Sequence, residues 1–202
     1  MTDYFSLLNE PRRPWLEPEA LKQKFLELSA NVHPDRVHHL GEAERAGAQE
    51  RSTRLNAAYQ CLRQPKDRLR HLLELEIGAL PKDIQRVPSD LMDLSLEVGG
   101  ACREADALLE QKSKATSALL KVQFFERGQE QIELLQALQQ KIDVHLYTLT
   151  HALRALDAEW TAVPDPGKRA DLIQRLEELY RLLSYFSRWT AQTGERIAQL
   201  AF

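Results

Sequence analysis

His33, Pro34 and Asp35 are the residues whose types and spacing point most directly to a function. They fall in a short stretch between two amphipathic segments. Pro34 fixes a turn there, Asp35 offers a carboxylate to an incoming guanidinium in a short, directional contact, and His33 adds a second polar group. That chemistry suits docking rather than bond making. The rest of the chain carries no nucleophile beside a base, no glycine loop to cradle a phosphate and no paired catalytic carboxylates, so an enzyme is not expected. His33, His38 and His39 cluster, but no Cys, Asp or Glu completes a ligand spacing around them, and no metal or other cofactor is expected. Cys61 and Cys102 are far apart in sequence and read as reduced thiols. Glu104 with Asp106, and Glu177 with Glu178, lie on charge-dense helical faces and read as solvated surface.

The elements that must position this stretch are helical. Val and Ile are sparse beside Leu, Ala, Glu, Gln and Arg, and 202 residues contain only 8 Gly and 9 Pro, so the expected fold is all-α. With 27 basic and 30 acidic residues the net charge is -3, which supplies no positive field for a phosphate backbone or an anionic membrane. No apolar run approaches the roughly 20 residues of a membrane span, and the chain opens without a basic region followed by an apolar one. These features lead us to expect a cytoplasmic protein with neither nucleic acid nor membrane as partner.

Periodicity sets out the elements. A short apolar segment (Tyr4, Phe5, Leu7, Leu8) precedes a helix from near Glu17 with Leu21, Phe25, Leu28 and Val32 inward, stopping before Pro34. A further helix runs from about Glu42 into the sixties, with Ala46, Leu55, Ala58, Tyr59 and Leu62 inward. Prolines 81 and 88 flank a polar stretch, giving a domain over residues 1–77, a linker over 78–88 and a second domain over 89–202. Three amphipathic segments follow, at about 89–114, 117–161 and 168–200, with a strong turn at 163–167. They predict an antiparallel three-helix bundle. Leu91, Met92, Leu94 and Leu96, like Leu119, Leu120, Phe124 and Phe125, cover more than one helical face, so part of either set is expected at a partner or homo-oligomer contact.

Asp3-Tyr4-Phe5-x-Leu7-Leu8, then His33-Pro34-Asp35-Arg36, then Leu55-Asn56-Ala57-Ala58-Tyr59-x-x-Leu62-x-x-Pro65 together resemble a J domain. Their continuation into Arg68-x-x-His71-Leu72-Leu73-x-Leu75 is similar to the HscB type of J-domain co-chaperone, which serves iron-sulfur cluster assembly. The resemblance covers roughly the first 77 residues. It implies that His33, Pro34, Asp35 and Arg36, with Lys22 and Lys24, dock on a DnaK/HscA-type chaperone and stimulate its ATPase. It also implies a helical-bundle client domain holding an IscU-type scaffold protein through Leu91, Met92, Leu96, Glu97, Tyr185 and Phe186. The chain departs from the family's pattern in several places. Helix two carries Glu19 and Glu27 among fewer basic residues, Ser95 and Leu96 stand at the family's next apolar and acidic positions, and Gly99-Gly100 sits where the family keeps helix formers. A J protein with a different client, or a helical assembly scaffold with an inactive J-like domain, are the alternatives.

Overall fold

The computed structural model describes residues 2–32, 41–79, 87–163 and 165–201, and every regular element among them is helical. Among the described residues, four helices come before residue 79. α1 (Tyr4–Leu7) begins on Asp3, whose carboxylate accepts the Phe5 and Ser6 amides, satisfying two of the donors that a helix start leaves free. α2 (Pro18–Asn31) opens on Pro18, whose fixed φ and missing N–H suit a first helical position. α3 spans Glu42–Arg63, with the Gly41 amide donating to Glu44 at 3.2 Å. α4 (Pro65–Ile77) is a separate helix: Pro65 restarts the chain, and Gly78 at φ 76 closes it in the left-handed region, which glycine enters without a Cβ penalty.

Both α1 and α2 pack on α3, and α3 packs on α4. Phe5, Leu8, Leu21, Leu55, Ala58, Leu62, Leu69, Leu72 and Leu73 are buried, and Phe25 stacks on Tyr59 at 4.3 Å. Ala46, expected inward, is exposed, and Ala48 is buried instead. The stripe from Leu55 back along α3 reaches Ala48 in seven residues, two turns, and Ala46 lies 200° away from it around the helix.

Three long helices follow a 3-10 turn at Ser89–Leu91: α5 (Met92–Lys114), α6 (Ala118–Ala162) and α7 (Ala170–Ala201). α5 continues unbroken through Gly99 and Gly100. The residues form two compact units, Met1–Lys82 with Thr150–Tyr180, and Asp83–Leu149 with Arg181–Phe202. Thus α6 and α7 each contribute to both.

The second unit is an up-down-up bundle, as its cross-links show. Gln131 donates to the Ala101 carbonyl and Lys141 pairs with Glu97, so α6 runs antiparallel to α5. Gln139 meets Thr193 and His145 stacks on Phe186, so α7 runs antiparallel to α6. Val98, Ala105, Leu108, Leu135, Leu138, Ile142, Leu183 and Phe186 are buried in this unit.

Candidate functional site

Residues 33–40 lie outside the described residues, and with them His33, Pro34, Asp35 and Arg36. The structure does show what carries them: α2 ends at Asn31 and α3 begins at Glu42. On α2 the two lysines are two residues apart, 200° around the helix, so they occupy opposite flanks of the buried Leu21 face. Lys22 is 3.9 Å from Glu19 and half exposed. Lys24 is held by two acceptors, the Asn9 carbonyl at 2.9 Å and Glu10 at 2.8 Å. The two lysines are therefore not equivalent.

His71 ties α4 to α1. Its Nε2 accepts the Tyr4 amide at 3.0 Å, and its ring lies 4.6 Å from Tyr4 and 5.8 Å from Phe5. Burial lowers the His71 pKa, opposed by the Asp3 and Glu74 charges, so the neutral ring that can accept this bond is the favoured form. Burial pushes Asp3 up, but hydrogen bonds from Ser6 and Arg12 outweigh it and hold the carboxyl below its usual range.

Residues 12–16 then run along the 150–180 part of the same unit. Asp157, 4% exposed, accepts from the Arg13 guanidinium and from the Trp15 amide. Trp160 Nε1 donates to the Arg12 carbonyl at 3.0 Å. The Trp15 ring has the Arg154 guanidinium 4.3 Å from its centre and that of Arg68 at 5.4 Å, contacts in which a ring face attracts a cation. Arg68 is buried and donates to the Pro14 and Leu62 carbonyls, and burial pulls its pKa down to about 10. Arg169 lies over the Trp160 ring at 4.1 Å and pairs with Glu76.

Sequence reasoning missed this cluster, because its partners are up to 148 positions apart. One signal was available: Asp157 interrupts the apolar face of α6 beside Leu153, Leu156 and Trp160, and an acid there needs a partner.

The expected client residues all lie in the second unit. Met92 and Leu96 are 43% and 64% exposed and one helical turn apart. Glu97 pairs with Lys141 at 2.5 Å. Leu91, Tyr185 and Phe186, expected at a client contact, are buried instead, Phe186 packing against His145 and Trp189. Leu119, Leu120, Val122 and Phe125 at the start of α6 are exposed. Burial raises the Cys61 pKa to about 11 and raises that of Cys102. Among the described residues no three His, Cys, Asp or Glu side chains gather as a metal site, and no helix is long and apolar enough to cross a membrane.

No family model matches the chain. Over 107 residues, 52% of this chain and 60% of the relative, it is 36% identical to a co-chaperone protein HscB homolog of Azoarcus sp.. Over 91 residues, 45% of this chain and 51% of the relative, it is 43% identical to that of Bordetella pertussis. Its curated homologues are HscB co-chaperones. The match spans about three fifths of the length of the first of these HscB relatives. The crystal structure of human co-chaperone protein HscB superposes with a TM-score of 0.64 at 18% identity, covering 96% of this chain and 82% of that one. The shared fold is the all-α one expected, a J domain with a C-terminal helical bundle.

Proposed function

We propose that this chain is a J-domain co-chaperone that docks through His33, Pro34, Asp35 and Arg36 on a DnaK/HscA-type chaperone, stimulates its ATPase and delivers a client. The homology to HscB co-chaperones carries this reading, and the intact His33-Pro34-Asp35 sequence supports it. Lys22 and Lys24 add charge that steers the encounter. In this reading residues 1–77 are the J domain, 78–88 the linker and 89–202 the client domain, with an IscU-type scaffold as client. The apolar pair Met92 and Leu96 is its contact surface, backed by Leu91. A second reading, a J protein with a different client, is favoured by the burial of Tyr185 and Phe186 and by the engagement of Glu97 with Lys141, which leave fewer of the expected contact groups at the surface.

The test is single-turnover ATP hydrolysis by the chaperone with the wild type and with Asp35→Asn, each with and without an IscU-type scaffold. Stimulation that is lost in Asp35→Asn and enhanced by the scaffold is expected. Stimulation indifferent to the scaffold would select the second reading, and no stimulation would overturn the co-chaperone proposal.

A further inference from the structure

The turn after α1 reaches across to α2. Asn9 adopts φ 53, a left-handed conformation that asparagine tolerates better than most residues. From that turn the Asn9 carbonyl and the Glu10 carboxylate both accept from Lys24 Nζ, at 2.9 and 2.8 Å. The Glu10 side chain is 11% exposed and that of Lys24 40%. Lys22, on the other flank, is 52% exposed and only 3.9 Å from a Glu19 that is itself 82% exposed. An ammonium held by a well-shielded carboxylate presents only part of its charge to an approaching partner, and salt screens what remains. Of the two lysines that could steer docking, the fold holds one back.

Resting on the docking reading above, we propose that Glu10 sets the strength of chaperone docking by keeping Lys24 in an internal ion pair, so that neutralising Glu10 releases a second positive group to the docking face. Glu10→Gln keeps the size of the side chain and its capacity to accept from Lys24 while removing the opposing charge. Glu10 thus acts through Lys24, and its effect is electrostatic.

The experiment measures binding of the full chain to the DnaK/HscA-type chaperone at low and high salt for the wild type, Glu10→Gln, Lys24→Gln and the double variant. Glu133→Gln, an exposed carboxylate of the other unit, changes net charge equally and serves as control. Glu10→Gln is expected to bind about threefold tighter at low salt, with the gain absent at high salt. The gain should vanish in the double variant, and Glu133→Gln should match the wild type. An unchanged affinity in Glu10→Gln, a gain that survives removal of Lys24, or an equal gain in Glu133→Gln would overturn the proposal. Amine labelling read by mass spectrometry provides a check that needs no partner. Lys24 should react more slowly than Lys22 in the wild type, and equal rates would also overturn it. A wild type that neither binds nor stimulates the chaperone sinks the co-chaperone reading and this inference with it, whereas a stimulating wild type with an inert Glu10→Gln sinks the inference alone.

Discussion

His71 accepts the Tyr4 amide through a ring nitrogen that must be unprotonated, and its pKa is depressed by burial. A depressed folded pKa contributes stability that is present above the ordinary histidine value and lost as pH falls through the folded one. Urea titrations at pH 7.5 and at about pH 5.5, a window set by the unperturbed histidine pKa of about 6.5, should show the wild type weaker at the lower pH. His71→Ala should cost about 1–2 kcal/mol at neutral pH and show a smaller loss on acidification. Equal pH sensitivity in both proteins would remove His71 from the account. Asp157→Ala leaves the Arg13 guanidinium and the Trp15 amide without their acceptor, and chemical denaturation should register a loss of about 2–3 kcal/mol. A loss below about 0.5 kcal/mol, the size of an ordinary surface substitution, would mean water replaces the carboxylate at no cost.

Two glycines have opposite backbone roles: Gly100 lies inside a helix and Gly78 ends one in the left-handed region. A Cβ added at Gly100 meets nothing within 4 Å, and the residue sits inside α5. Gly100→Ala should therefore stabilise the chain by about 0.5–1 kcal/mol through helix propensity. Gly78 also has open space but stands at φ 76, so Gly78→Ala should destabilise by about 1 kcal/mol. Thermal melts that move in the same direction for both variants would contradict this assignment. The helices themselves were largely legible, since apolar spacing repeats locally and prolines punctuate it: α2, α5, α6 and α7 start and stop within a few residues of the expected bounds. What was not legible has physical reasons. α4 was hidden because Pro65 can open a helix as readily as end one. The burial of Tyr185 and Phe186 depends on which face α7 turns to α6, which aromatic residues alone do not decide. The ties from Arg13 and Trp15 to Asp157 leave no local pattern, and Lys24 gave no sign that Glu10, 14 residues earlier, would hold it.

For the whole molecule, the first unit is discontinuous in sequence, since Thr150–Tyr180 completes it. That segment supplies the acceptor for Arg13, the indole that bonds the Arg12 carbonyl, and the partner of Glu76. A fragment of residues 1–82 should accordingly unfold at lower urea than the full chain, followed by helical circular dichroism. Adding a peptide of residues 150–180 should recover part of the difference. A fragment as stable as the intact protein would show that these ties are energetically idle.

The return of α6 and α7 into the first unit bears on how such a chain can be recombined. A crossover near residue 80 between this protein and an HscB relative would pair Arg13 and Trp15 from one parent with whatever the other carries at the position of Asp157. Functional hybrids should then be those that exchange 150–180 along with the N-terminal segment, and homologous recombination at a single point should be selected against. The heredity of this fold follows its contacts rather than its chain order.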